Sequence, residues 1–146
     1  MTIQRVSAQE AKGLIDTDGY AYLDVRSVPE FDRGHPPDAY NVPIFHFNPA
    51  MGGMTPNPKF LQVVLANFPK DAKIVVGCAA GKRSATAVGQ LQAAGYLNLA
   101  DNRAGFDGAK DGFGRTVEPG WVGCGGGVVT KCDPARTWEA LAQKAV

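Results

Sequence analysis

Cys78 is the residue of this chain best placed to do covalent chemistry. It follows an apolar run, Lys73-Ile74-Val75-Val76-Gly77, and precedes Ala79-Ala80-Gly81-Lys82-Arg83-Ser84 and a helix-like segment, Ala85-Thr86-Ala87-Val88-Gly89-Gln90-Leu91. Strand, short loop and helix in that order place one sulfur at the mouth of a helix N-terminus, with two cations beside it. Such a terminus carries about half a positive charge and several N–H groups without partners. A thiol there ionises more readily than a free one, whose pKa is about 8.5. The small residues and the glycine let the loop curl, so that successive N–H groups converge on one anion. The chemistry is a nucleophilic sulfur, an anion-binding loop, or both. Cys78 is the expected nucleophile and Ala79, Ala80, Gly81, Lys82, Arg83 and Ser84 the expected binding set. Arg83 would offer its planar fork to an oxyanion. Ser84 reads as the N-cap of the helix rather than as a catalytic hydroxyl. This reading requires that the sulfur meet solvent and that the loop amides face it.

Other polar residues read as support. Asp24 ends the apolar part of a strand, and a buried carboxylate needs partners. Loop N–H groups or an arginine are expected to satisfy it, and a thiolate already formed needs no general base. Arg26 and Glu30 read as structural. His35, in Gly34-His35-Pro36-Pro37, reads as a hydrogen-bonding turn residue, and His46 stays undecided between turn and site. Cys124 and Cys132 belong to no close cysteine pair, and the chain has only two histidines. That spacing argues against a metal site. Unpaired structural thiols are expected, with a resolving thiol that takes sulfur from Cys78 as the alternative.

The elements that must position these residues follow a βα rhythm. Strands are expected over 4–6, 21–26, 40–43, 73–77 and 96–100, and helices over about 7–16, 29–33, 57–68, 84–94 and 133–145. Ser7 and Glu10 form a capping-box pattern, and Asn57-Pro58 reads as N-cap and first helical residue. Residues 45–56 read as a long loop rich in Gly, Pro and Met, and 105–127 as a Gly-rich stretch without clear periodicity. Strands separated by helices imply an α/β fold: a central, mainly parallel five-stranded sheet with helices on both faces. Ligands in such sheets bind at the carboxyl ends of the strands, where Cys78 stands. No linker divides the chain, so residues 1–146 read as one domain, with a core over about 4–128 and a terminal helix.

Composition narrows the classes further. The formal net charge is +1, the cations are scattered, and 45% of residues are apolar. No nucleic-acid partner is expected from such a balance. No run approaches the roughly 20 apolar residues of a membrane span, and residues 1–7 lack the apolar core of a signal peptide. Three cysteines, an odd number, argue against a secreted disulfide scaffold. A soluble, cytoplasmic chain without cofactor or metal is the expectation.

Three segments together resemble the rhodanese family of sulfurtransferases. They are Tyr22-Leu23-Asp24-Val25-Arg26-Ser27 with Glu30-Phe31 and Gly34-His35; Ala39-Tyr40-Asn41-Val42-Pro43; and the Cys78 to Ser84 loop with its flanks through Gly95-Tyr96. Pro58-Lys59-Phe60 and the Cys loop look most like the small single-domain rhodaneses of bacteria and plant plastids. The departures lie at Pro36, at Asp38 and Ala104 where glycine is usual, and at residues 108–120, which look longer than the typical turn. The resemblance implies a rhodanese-like fold and an enzyme, a thiosulfate:cyanide sulfurtransferase. It would move a sulfane sulfur from thiosulfate or a related donor, through a Cys78 persulfide, to cyanide or a thiol, or to a protein acceptor. A persulfide carrier or interaction module is the alternative. A Cys-based phosphatase or arsenate reductase is a further rival, but those enzymes carry one more residue between Cys and Arg. Here four residues intervene between Cys78 and Arg83, a ring that suits a single sulfur atom.

Overall fold

Strand alternation decides where the chain's apolar residues go. Along β6 (Lys73–Gly77) Ile74 and Val76 enter one core and Val75 the other. Along β2 (Ala21–Asp24) Leu23 and Tyr22 divide in the same way. Side chains two apart share a sheet face, so both faces must be covered, as in a central parallel sheet. The computed structural model, which describes residues 3–145, shows that sheet. Its strand order is β1-β7-β6-β2-β3, with β1 at Gln4–Val6, β3 at Tyr40–Asn41, β7 at Asn98–Asn102 and every pair parallel.

One face carries α3 (Phe60–Asn67), α4 (Lys82–Ala93) and α5 (Trp138–Gln143), whose Phe60, Val63, Val88, Leu91 and Leu141 pack on Leu23, Ile74 and Val76. The other carries α1 (Ala8–Asp18), α2 (Val28–Arg33) and the Gly-rich segment, through Ala11, Phe31, Phe106 and Trp121. The capping box at α1 forms as expected: Glu10 N–H donates to Ser7 Oγ at 3.0 Å and Ser7 N–H donates to Glu10 at 3.0 Å. The helix runs to Asp18, two residues past the expected end, and stops at Gly19.

Several expectations are corrected. Residues 45–56 are a hairpin, β4 (Phe45–Asn48) against β5 (Gly53–Pro56), rather than a loop; a short 3₁₀ turn at Pro49–Met51 joins the strands. The Gly-rich stretch holds a second hairpin, β8 (Ala109–Lys110) with β9 (Thr116–Glu118), which accounts for its extra length. β2 and β3 are shorter than expected, and β7 begins two residues later, at Asn98. Asn57 starts a turn rather than a helix: its amide donates to Pro43 O at 2.7 Å and its Oδ1 accepts from Lys59 N–H. The terminal helix is split, because Asp133 caps a 3₁₀ turn and Thr137 then caps α5. Asp38, where the resembling family favours glycine, is the one described non-glycine residue at positive φ (63°). An Asp tolerates that region better than most residues.

Helix α4 begins at Lys82 rather than at Ser84, and its N-cap is Gly81 at φ 99°. No side chain fits there, because a Cβ would drive into the carbonyl of Arg103. Gly77, at the end of β6, is equally constrained, since a Cβ would drive into the Tyr22 hydroxyl. Gly77→Ala should therefore lower stability by about 1–3 kcal/mol, the usual cost of overpacking. The loss should shrink when Tyr22→Phe is added. Urea unfolding of both singles and the double variant measures this coupling, and additive losses would contradict it.

Candidate active site

Strand β6 delivers Cys78 to the carboxyl edge of the sheet, and α4 starts four residues later. The N–H of Gly81 donates to Cys78 Sγ at 3.1 Å. On the opposite side of the loop, Phe106 N–H donates to the Cys78 carbonyl at 2.7 Å and Asp107 N–H to the Ala79 carbonyl at 2.8 Å. A trans peptide sets each C=O antiparallel to the following N–H. Tying down these two carbonyls therefore turns the N–H groups of Ala79 and Ala80 away from the 105–107 segment. Among the described residues, neither these two nor the N–H groups of Lys82, Arg83 and Ser84 meet an acceptor. The last three are the orphan donors of the first turn of α4. Of the six amides expected around the sulfur, one, that of Gly81, is on Sγ, and the other five meet no acceptor among the described residues.

Gly105 makes the clamp possible. At φ 69° its Cα lies against the loop, and a Cβ would sit 2.5 Å from the Ala79 oxygen and 2.7 Å from the Cys78 oxygen. This wall, with Phe106 and Asp107, escaped the sequence reading. The only signal for it was glycine density with no periodicity.

The sulfur is less open than expected. Cys78 is 1% exposed and belongs to the larger apolar core, so the expectation of a thiol at the solvent boundary is corrected. Ala80 is exposed and Ala79 partly so.

The cations are placed differently from expectation. Arg83 turns its fork to Glu30, Nη1 to Oε1 at 2.7 Å and Nη2 to Oε2 at 2.9 Å, and is committed to that carboxylate instead of standing free for an oxyanion. Partial burial alone would push the Glu30 carboxyl up; the Arg83 fork and the Ser27 donors outweigh it and bring it down to about 2. Lys82 is exposed at the first position of α4. Ser84 is not the N-cap: it is buried inside the helix and its Oγ donates to Asp101 Oδ1 at 2.7 Å. Burial raises the Asp101 carboxyl, while Ser84 and Arg5 work against that.

Asp24 and Arg26 form a buried pair, with Arg26 Nη2 2.8 Å from Asp24 Oδ2 and the Arg26 N–H 3.0 Å from Oδ1. Arg26 also donates to Gly34 O at 2.7 Å and lies over the Phe106 ring at 4.1 Å. Its Nε and Nη2 are committed to these partners, so it holds the wall of the site in place. His35 is buried, stacks on Phe31 and has Nδ1 2.9 Å from Phe31 O, the structural role expected of it. His46 sits on β4 against Trp138. All three cysteines are free thiols, and Cys124 and Cys132 are partly exposed. Among the described residues no group of three or more His, Cys, Asp or Glu is arranged to hold a metal ion. A cleft of about 350 Å³ opens beside the loop, bounded by Arg26, Glu30, Arg33, Phe106, Asp107 and Val122 among others.

A model of the rhodanese-like domain matches residues 7–111 of this sequence. The chain belongs to the rhodanese-like domain family. Thiosulfate sulfurtransferase 16, a chloroplastic protein of Arabidopsis thaliana, is 41% identical over 96 residues, covering 65% of this chain and 78% of the relative. Senescence-associated protein DIN1 of Raphanus sativus is 41% identical over 88 residues, 60% of this chain; the chain spans about half of that relative, 47%. In fold, the crystal structure of Rv0390 from M. tuberculosis superposes with a TM-score of 0.71 at 22% identity, covering 90% of this chain and all of the other. The rhodanese-like fold expected from the three segments is therefore the fold found.

Two outcomes follow from this geometry. A bulky disulfide reagent should label Cys124 and Cys132 before Cys78 in the resting protein, as read by peptide mass; faster labelling of Cys78 would contradict the enclosure. The Glu30 carboxylate, depressed to about 2 from 4.5, contributes stability that is full above pH 4.5 and lost as pH falls toward 2. Glu30→Gln should thus cost about 1.5–3 kcal/mol at pH 6. The gap to the parent should close between pH 4.5 and 2 in urea titrations.

Proposed function

We propose that this rhodanese-like chain is a sulfurtransferase that works through a persulfide on Cys78. The observation that carries the proposal is the Gly81 N–H donated to Cys78 Sγ, in a loop whose Ala79, Ala80, Lys82, Arg83 and Ser84 amides are unengaged among the described residues. The Cys78 thiolate attacks the outer sulfur of thiosulfate or a related donor. The bond from that sulfur to the sulfite sulfur breaks, and sulfite leaves with the electron pair. Cys78 now carries one extra sulfur, whose negative charge the six amides and the α4 dipole stabilise. Cyanide or a thiol then attacks the outer sulfur, the S–S bond breaks toward Sγ, and the thiolate is restored. This is covalent catalysis in two half-reactions, with ping-pong kinetics. A single donor to a developing anion is worth about 10²–10³-fold in comparable oxyanion holes.

The likeness to a relative named thiosulfate sulfurtransferase 16 supports thiosulfate as a donor. The four-residue spacing from Cys78 to Arg83 supports sulfur over phosphate as the anion held. Arg83 adds positive field from the Glu30 pair without gripping the donor. A reducing compartment such as the cytoplasm suits three unbridged thiols. No helix among the described residues is long and apolar enough to cross a membrane.

One observation favours a second reading. Cys78 is 1% exposed, so the sulfur does not meet solvent as the nucleophile reading requires, and attack on a donor needs an opened form of the site; that enclosure suits a persulfide carrier loaded by a partner protein better than rapid turnover of free thiosulfate. Intact-mass measurement separates the two. For the enzyme, thiosulfate alone adds one sulfur atom, and cyanide removes it as thiocyanate. For the carrier, only a partner loads it. Cys78→Ser should show neither gain nor thiocyanate formation, since a hydroxyl is not ionised at neutral pH. Thiocyanate production by the Ser variant at the parent rate would remove Cys78 from the mechanism.

A further inference from the structure

Asp101 is a carboxylate where packing alone asks for an apolar side chain. Residues two apart on β7 share a face, and Leu99 puts that face into the larger core with α4. Asp101 continues it, 0% exposed. Ser84 Oγ, on α4, donates to its Oδ1 at 2.7 Å, and Arg5 Nε, on β1, donates to its Oδ2 at 3.2 Å. The Arg5 side chain is 58% exposed, so water screens the charge that faces the acid. Burial raises the carboxyl against both partners. A buried acid with so exposed a counter-charge is costly, and an apolar side chain of the same shape is often as stable or more so. What the carboxylate does follows from its place in the ladder.

Asp101 closes a ring of rigid parts around the sulfur. It is the register partner of Val76 in the parallel β6–β7 pair, and Cys78 stands two residues beyond Val76. Across the ring, Ser84 belongs to the first turn of α4, where Ala85 N–H donates to the Gly81 carbonyl at 3.3 Å. Ser84 Oγ also lies 3.2 Å from that carbonyl. The Gly81 N–H closes the ring on Cys78 Sγ at 3.1 Å. Apolar packing of Ala87, Val88 and Leu91 presses α4 onto the sheet but is non-directional. The hydrogen bond from Ser84 to Asp101 is directional. It fixes the first turn of α4 against the same strand pair that carries the cysteine. We infer that Asp101 is a positioning residue for sulfur transfer: through Ser84 Oγ it holds the Gly81 N–H on the Cys78 sulfur. The inference rests on the sulfurtransferase reading and adds to it a residue that acts at one remove from the sulfur.

Three substitutions separate positioning from support. Asp101→Leu keeps the branched shape and removes the acceptor. Ser84→Ala removes the donor. Asp101→Asn removes the charge and keeps an oxygen for Ser84. Sulfur loading from thiosulfate or inorganic polysulfide is followed by intact mass in a single turnover. Its rate constant does not depend on the fraction of protein that is folded. Urea unfolding is measured in parallel. Asp101→Leu should be at least as stable as the parent. It should nevertheless load roughly tenfold more slowly, the scale of one misplaced donor. Ser84→Ala should slow loading by a similar factor, and the double variant should match either single one within about twofold, because both break one bond. Asp101→Asn should recover loading to within about threefold of the parent, since its oxygen still accepts from Ser84. Loading constants for Asp101→Leu and Ser84→Ala equal to the parent's would overturn the inference. So would an Asp101→Asn variant as slow as Asp101→Leu. Should Asp101→Leu not fold, Ser84→Ala and Asp101→Asn decide by the same constants. A parent that gains sulfur while every variant keeps pace with it loses only the role of Asp101. A parent that gains sulfur from neither donor loses the sulfurtransferase reading as well.

Discussion

Two backbone hydrogen bonds, from Phe106 N–H to the Cys78 carbonyl and from Asp107 N–H to the Ala79 carbonyl, set the direction in which the loop's amides point. Without them the Cys78–Ala79 and Ala79–Ala80 peptide units could turn over, and the cradle would present oxygens to an anion rather than N–H groups. The clamp demands that one backbone pass within van der Waals range of another, which only Gly105 allows. Gly120 repeats the requirement one layer out, where a Cβ would lie 2.7 Å from the Gly105 oxygen. Trp121 N–H then donates to that same oxygen at 2.8 Å, and its ring packs on Tyr22. A layer of tight backbone contacts thus runs from the second hydrophobic core to the Cys78 loop.

The ion pairs divide along the same line. Asp24 and Arg26 are both withdrawn from water, with side-chain exposures of 1% and 5%. Burying such a pair is costly, and apolar residues of similar size are often as stable. Its use here is orientation. One guanidinium satisfies Asp24, holds the Gly34 carbonyl and covers Phe106, so β2, α2 and the clamp segment are set relative to one another. Arg83 and Glu30 do the equivalent between α4 and α2 at a less buried position. Both arginines act on the site through what they hold in place, while the donor on the sulfur, the Gly81 N–H, is a main-chain group. Main-chain donors lose no rotamer freedom on binding an anion and are already oriented.

The parts legible in the sequence were those with a local signature. The β6 run, the capping box at Ser7 and Glu10, and the small-residue loop after Cys78 each declare themselves within a few residues. What was illegible depends on distant partners. Nothing near Arg83 announces Glu30, fifty-three positions away, so its fork was assigned to a substrate. Ser84 looked like a cap because capping residues favour helix starts. The helix instead begins earlier, at a glycine whose left-handed conformation is dictated by the Arg103 carbonyl. The 45–56 hairpin was hidden by Gly, Pro and Met, which are poor strand formers, although its pairs Phe47–Met54 and His46–Thr55 are regular. The clamp itself is tertiary and carries no motif. A glycine-rich stretch without periodicity marks close backbone approach as readily as it marks a loop.

Enclosure of the sulfur then fits a division of labour. On the proposed reading, a loop closed around a single atom would recognise a sulfane sulfur by size and charge, whatever molecule delivered it. It cannot tell one donor or acceptor from another, because the rest of the molecule stays outside. On that reading, discrimination between donors or acceptors would come from surface that the transferred atom never touches. A side chain outside the loop can change that surface while leaving the loop's amides as they are. Any change that moves the clamp alters both, since the same two N–H groups hold the loop and frame the cleft.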